Sequence, residues 1–293
     1  MPDAAFTHLV ASREGLYVAG IDGYERRRDG LFFGATIRDG MVWVFEALDE
    51  NLHARTNRGR ILRIPVDPAT TAFGPAEVMA EGLDNGCHQI DFIQGRLVVV
   101  DTYRQKLVVF RDDFSAADLH YPAGQADAGA RDDPGYVHMN GIGGDGHNLY
   151  VMLSHAGVQP ARVSEVIRLD KSFQPVERFS LPGLMCHDLV VLEDGRLIAN
   201  GSMGGFLIDR QGIIAQVDSL LTRGLSIGAD DVVIGSSTFG DRERRIAATG
   251  RLTFTSRDLA LRARYDLPAA PTQIRRLDGR DLSIFDYRAT IGN

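Results

Sequence analysis

Gly86-Cys87-His88-Gln89-Ile90-Asp91, Val137-His138-Met139-Asn140-Gly141-Ile142 and Met185-Cys186-His187-Asp188-Leu189-Val190 are three versions of one short pattern, with their histidines 50 and 49 residues apart. A glycine turn and an apolar run follow each histidine: Gly95-Arg96-Leu97-Val98-Val99-Val100, Gly146-His147-Asn148-Leu149-Tyr150-Val151 and Gly195-Arg196-Leu197-Ile198-Ala199. A period of this size marks a repeat architecture. A histidine at one fixed place in successive repeats is a set of imidazoles that symmetry brings together around an axis.

Outward from these segments, helical periodicity is nearly absent. Short apolar runs alternate with clusters of Gly, Asp, Asn and Pro, the pattern of an all-β chain. The runs group in fours: 31–38, 41–47, 60–65 and 76–80; then 88–93, 96–101, 106–110 and a weaker 117–121; then a unit from His138 to Leu181, one from His187 to Val217, and one from Arg223 to Tyr265. Four-stranded units of about 35 to 55 residues are β-propeller blades. The C-terminal remnant, 272–276 with 282–285, is incomplete, and 7–12 with 15–20 supplies the missing strands. Joining the two ends closes a ring and hides its free edges. The expectation is one β-propeller domain over residues 1–293, with six blades favoured over five. A two-sheet sandwich would leave the recurring histidine without a reason. Two segments read as loops over the ring, Asp113–Pro134 and Glu25–Gly30 with its Arg26-Arg27-Arg28, and the glycine run 141–146 reads as a strand turn.

Composition sets the functional class. The chain is 44% hydrophobic and 24% charged, ordinary for a globular protein, and has no apolar run of membrane-spanning length. Its formal charge of −7 argues against a nucleic-acid backbone as partner. The first residues carry neither a basic n-region nor an apolar h-region, and there are only two cysteines, Cys87 and Cys186, so a reducing cytoplasmic location is expected. Each cysteine adjoins a histidine. Side chains alternate along a strand, so if the histidines face the channel the cysteines pack on the other face as small apolar groups. The expected partner is a small-molecule substrate, with neither nucleic acid nor membrane.

The stretch Gly95-Arg96-Leu97-Val98-Val99-Val100-Asp101-Thr102-Tyr103-Arg104-Gln105-Lys106-Leu107-Val108-Val109-Phe110 resembles an NHL-type propeller repeat. Residues 136–245 are also similar to a poorly characterised bacterial propeller family, through His138-Met139-Asn140-Gly141-Ile142, through His187 ahead of Asp194-Gly195-Arg196-Leu197, and through Arg223-Gly224-Leu225 ahead of Gly235-Ser236-Ser237 and Arg242-Glu243. Cys186 stands before His187 where that family has proline. The resemblance implies the propeller fold and no settled activity.

The innermost strand of each blade lines the channel, so His88, His138 and His187 are expected to meet at one mouth. Three imidazoles on a rigid frame suit a divalent transition metal (Fe, Zn, Mn or Cu) with positions open to water or substrate. Asp91, Asn140 and Asp188, one to three residues further on, are candidates to orient the imidazoles or, for the two aspartates, to act as general base. Arg223 holds the corresponding place in the fifth unit and suits an anionic substrate. Glu46, at the end of Met41-Val42-Trp43-Val44-Phe45, is a further candidate ligand or base among the polar groups closing the second strands, with Asp101, His155, Ser202, Ser236 and Asp286. The expected activity is metal-dependent hydrolysis or elimination, or iron-dependent oxygen chemistry. The alternative is a non-catalytic binding or assembly platform, for which the histidines would be dispersed and hydrogen-bonded.

Overall fold

The computed structural model describes residues 6–49, 56–67, 69–124, 135–145, 147–192, 194–238, 249–279 and 281. The chain opens with β1 (His8–Ser12), β2 (Gly15–Gly20) and β3 (Gly23–Asp29). Blade I follows as β4 (Leu31–Arg38), β5 (Met41–Ala47), β6 (Gly59–Pro65) and β7 (Glu77–Leu83). Blade II is β8 (Cys87–Ile93), β9 (Arg96–Asp101), β10 (Lys106–Phe110) and β11 (Ala117–His120). Blade III is β12 (Met139–Gly144), β13 (Leu149–Leu153), β14 (Val163–Leu169) and β15 (Pro175–Leu184). Blade IV is β16 (His187–Val191), β17 (Leu197–Gly201), β18 (Phe206–Ile208) and β19 (Ile213–Gln216), with a short 3-10 turn at Ser202–Gly204. Blade V is β20 (Leu221–Ile227), β21 (Asp231–Ser237), β22 (Gly250–Ser256) and β23 (Leu261–Leu267). Finally β24 (Pro271–Arg276) pairs antiparallel with β1, giving a sixth sheet in the order β24-β1-β2-β3. The protein is a six-bladed, all-β propeller.

Ring closure therefore uses three N-terminal strands and one C-terminal strand, where the sequence pattern predicts two and two. Residues 282–285, the other expected C-terminal strand, lie outside the described residues. The third N-terminal strand is β3, which corrects the reading of Glu25–Gly30 as a loop. Its residues are largely exposed, and its arginines pair along it, Arg27 with Glu25 at 2.5 Å and Arg26 with Asp29 at 2.7 Å. An outermost strand buries little, so it needs no apolar alternation, and charges on such an edge oppose strand addition by another chain.

Six apolar clusters fill the six seams between neighbouring blades. Blades I and II, for example, share Phe33, Phe45, Cys87, Ile90 and Val99, while Leu9, Ala11, Val42 and Ile64 join blade VI to blade I. Alternate side chains of each inner strand thus enter opposite seams, which is why β4, β5, β9 and β13 read as nearly continuous apolar runs. Both cysteines are fully buried free thiols, Cys87 in the I–II seam and Cys186 in the III–IV seam. The glycine run at 141–144 is not a turn but part of β12 itself. A Cβ at Gly143 would stand 2.7 Å from the Leu189 carbonyl oxygen, so glycine there lets blade III approach the backbone of blade IV. Among the described residues no helix is long and apolar enough to cross a membrane.

Candidate functional site

The register of every innermost strand shifts close to its start. The shifts fall at Phe32/Ala35, Cys87/Ile90, Met139/Gly141, His187/Leu189 and Thr222/Leu225, and opposite Ala11/Ser12 for β24. A bulge leaves residues unpaired and re-aims side chains, and a ring of bulges is common beside functional sites. In blades II, III, IV and VI the last residue of the bulge fastens its blade to the next. Gln89 Nε2 donates to the Ile142 carbonyl at 3.1 Å and Gln89 Oε1 accepts from the Ile142 N–H at 2.8 Å. Asn140 Nδ2 donates to the Cys186 carbonyl at 3.1 Å, and Asp188 Oδ2 accepts from the Gly224 N–H at 2.8 Å. Thr272 Oγ1 closes the ring by donating to the Phe32 carbonyl at 2.9 Å. Blade I has Gly34 at this place, where a Cβ would lie 2.5 Å from the Ile90 nitrogen.

Asn140 and Asp188 are thus inter-blade clasps rather than orienters of the imidazoles. The histidine Nδ1 atoms take other partners: the Gly86 carbonyl at 2.8 Å for His88, the Tyr136 hydroxyl at 2.8 Å for His138 and the Ser202 hydroxyl at 2.9 Å for His187. A carbonyl only accepts, so His88 carries its proton on Nδ1 and presents the Nε2 lone pair.

In blades I, II, IV and V the residue just before this place stands at the channel mouth. In register these are Phe33, His88, His187 and Arg223, with His138 entering one place earlier in blade III through a left-handed backbone at φ 50°. The His88 and His138 rings meet edge to face, 5.3 Å between centres. Tyr103 stands edge-on to both at 6.5 Å, and the Phe33 ring lies 5.6 Å from His88. The Arg223 and Arg13 guanidinium carbons lie 5.6 and 5.8 Å from the centre of the Phe33 ring. Burial, then the positive charge of Arg223 and the neighbouring His138, hold His88 well below the usual histidine range, with His187 contributing in the same direction. His88 is therefore neutral at pH 7. Burial raises the Asp188 carboxyl, against the Gly224 N–H and Arg223, and its Oδ1 takes no hydrogen bond among the described residues.

A cross-channel ion pair lies deeper. Arg275 Nη2 of blade VI reaches Asp91 Oδ2 of blade II at 2.9 Å, past blade I, whose Thr36 Oγ1 donates to Asp91 Oδ1 at 2.8 Å. Asp91 is 0% and Arg275 2% exposed, so this pair is a floor beneath the histidines and makes the mouth a cup. A carboxylate committed to Arg275, Thr36 and the Phe92 N–H is poorly placed to serve as a base. Glu46 is bound by Arg60 Nε at 2.7 Å across β5 and β6.

For a metal, the geometry fits in part. Two imidazoles sharing a tetrahedral ion at metal–nitrogen distances of about 2.0–2.1 Å have ring centres roughly 5 Å apart, close to the spacing of His88 and His138. Among the described residues, however, no three His, Cys, Asp or Glu side chains form a group that could hold a metal ion. Phe33, Tyr103 and Tyr136 went unremarked in the sequence pattern. Phe33 was legible in principle, since it holds in blade I the register that His88 holds in blade II.

No known family model matches the chain, and no curated protein is similar in sequence. Solved structures are similar in shape. A nidogen/laminin complex chain aligns with a TM-score of 0.59 at 8% identity, over 92% of this chain and 98% of that one. A protein of unknown function from Bacteroides caccae aligns at 0.55 and 10%, with the same two coverages of 92% and 98%. A luciferin-regenerating enzyme aligns at 0.50 and 14%, over 80% of this chain and 85% of that one. At such identities the likeness establishes the β-propeller fold alone.

Proposed function

We propose that this protein is an enzyme acting on a small anionic molecule held in the cup at the channel mouth. The observation that carries this reading is the setting of Arg223. Its guanidinium stands beside the Phe33 ring and close enough to His88 to depress that imidazole's proton affinity. A cation among imidazoles, over a closed and largely dry floor, favours a carboxylate or phosphate, which Arg binds in a two-pronged manner. His88, neutral with its lone pair on Nε2, accepts a proton from the bound molecule, and Asp188 Oδ1 is the second candidate base. His138 and His187, steadied by Tyr136 and Ser202, complete the wall. The NHL-type repeat at 95–110 and a cytoplasmic location belong to this same reading.

A second reading places a divalent transition metal (Fe, Zn, Mn or Cu) in the cup, and the His88–His138 spacing favours it. His88 and His138 would hold the ion, with His187 moving in as third ligand, and the ion would polarise a carbonyl or lower the pKa of bound water. The luciferin-regenerating enzyme among the similar folds shows that catalysis occurs on this architecture, and the nidogen/laminin complex that assembly does too.

One experiment separates these readings. Histidine side-chain resonances are followed by NMR while phosphate or malonate is added to chelator-treated protein, then to protein given each metal. The proposal expects a saturable rise in the His88 pKa with the anion, absent in Arg223→Ala. Metal-dependent broadening of His88 and His138, lost in His88→Ala and His138→Ala, would establish the second reading. If neither anion nor metal perturbs His88, the cup is not a small-molecule site and the platform reading stands.

A further inference from the structure

The opposite face of the ring, where the innermost strands end, carries a cleft between blades I and II. It has a volume of about 380 Å³, the size of a small-molecule site. Its walls come from the β4–β5 turn, the β8–β9 turn and the residues after β10, so it shares no residue with the histidine cup. The floor is aromatic. Trp43 stacks on Phe114 with 5.4 Å between ring centres and 12° between planes, and Phe92 meets Trp43 edge-on at 5.2 Å. Met41, Met79 and Leu97 complete the apolar lining.

The rim carries guanidinium groups. Arg38, Arg63, Arg96 and Arg111 line the cleft with Asp39 and Asp112. Three of them meet acids: Arg38 lies 3.5 Å from Asp39, Arg63 2.5 Å from Glu77 and Arg96 3.7 Å from Asp118. The guanidinium carbons of Arg38 and Arg63 lie 4.6 Å from the Phe92 ring centre and 5.6 Å from that of Trp43. Arg38 Nη1 is also fixed by the Gly95 carbonyl at 2.8 Å. The Arg111 side chain is exposed and makes no hydrogen bond or ion pair among the described residues. With its three neighbours paired, Arg111 is the guanidinium at this rim left to meet an anion. Stacked rings and methionines beneath it supply a flat apolar seat.

We propose that this cleft binds a small aromatic anion, a planar ring bearing a carboxylate or phosphate. The ring lies against Trp43 and Phe114, and the acidic group reaches the arginine rim with Arg111 as its mobile partner. Both features are needed: an apolar ring without charge leaves the rim unused, and an inorganic anion leaves the floor unused.

Trp43 is the only tryptophan in the chain, so its fluorescence reports this cleft directly. Phenyl phosphate, inorganic phosphate and benzyl alcohol are each titrated against the full chain, with calorimetry in parallel. The expected result is a saturable Trp43 response to phenyl phosphate, at least about tenfold tighter than to either fragment. Arg111→Ala should weaken it about fivefold with the melting temperature unchanged, while Arg223→Ala in the cup should not alter it. No saturable response to phenyl phosphate, equal affinity for inorganic phosphate, or full binding in Arg111→Ala would each overturn the proposal. A response lost in Arg223→Ala and kept in Arg111→Ala would move the ligand to the cup and overturn it equally.

Discussion

Replacing Asp91 tests whether the floor of the cup is scaffold or chemistry. The Asp91–Arg275 pair is almost wholly dry, with side-chain exposures of 1% and 2%. Removing the carboxylate in Asp91→Ala strands a guanidinium that has no water to return to, and takes the acceptor from the Thr36 hydroxyl and the Phe92 N–H. Breaking a buried pair from one side costs about 3–5 kcal/mol. For a chain of 293 residues, an unfolding entropy of about 2 cal/mol/K per residue gives roughly 0.6 kcal/mol/K, so the melting temperature should fall by about 5–8 °C. Asp91→Leu with Arg275→Met removes both partners of the pair and should cost less than Asp91→Ala alone, because no guanidinium is left without its carboxylate, while Asp281 loses the Arg275 charge that lowers its pKa. Thermal melts by circular dichroism at pH 7.5 measure all three proteins. If Asp91→Ala melts within a degree of the wild type, the pair does not hold the ring, and the argument that Asp91 is unavailable as a base collapses with it.

The fold sets two further outcomes. His8 is fully buried, with its pKa lowered to about 3 by desolvation and then Arg276, so below pH 6.5 the unfolded chain takes up a proton that the folded one refuses. Stability from this group is therefore present above pH 6.5 and lost as pH falls toward 3, by about 1.4 kcal/mol per unit. Asp101 and Asp281, both raised to about 6 by burial, act in the opposite sense between pH 4 and 6 and mask it in the wild type. His8→Gln should thus gain about 3 kcal/mol relative to wild type between pH 7 and pH 4 in urea titrations; a constant difference across that range would show that His8 does titrate freely in the fold. Deleting residues 1–20 removes β1 and β2 and leaves β24 without its partner, so cooperative unfolding should disappear, and a truncated protein with the melting curve of the full chain would contradict the β24–β1 closure.

The ring was legible because the histidine segments repeat every 49–50 residues and each second strand carries an apolar run. The features that stayed hidden have physical causes. β3 carries Arg26, Arg27 and Arg28 because an outermost strand faces water on most of its surface, so no hydrophobic period marks it. The glycines of β12 look like a turn because small residues serve turns and close backbone packing alike, and only the Gly143–Leu189 approach separates the two.

The histidine site was legible in position and misleading in detail, for one reason. Sequence neighbours of a strand residue are expected on alternating faces, but a bulge breaks that alternation. At Asp188, with φ 55°, and at His138, with φ 50°, the backbone turns left-handed and re-aims the neighbouring side chains. Asn140 and Asp188 therefore reach sideways to the next blade, and the groups that steady the imidazoles come from Gly86, Tyr136 and Ser202, at offsets of −2, −2 and +15 from their histidines. The clasps Gln89, Asn140 and Asp188 are 51 and 48 residues apart, and the earlier entry of His138 brings the histidine spacing to 50 and 49. Blades II and IV thus place two functions side by side, one residue clasping the neighbouring blade and the one before it facing the channel. The clasp is under the constraint of ring geometry and the channel residue is not, which is why Phe33, His88, His187 and Arg223 differ in chemistry while the clasp stays polar or glycine. On the proposed reading, that freedom lets the channel-facing place carry the groups that select a ligand.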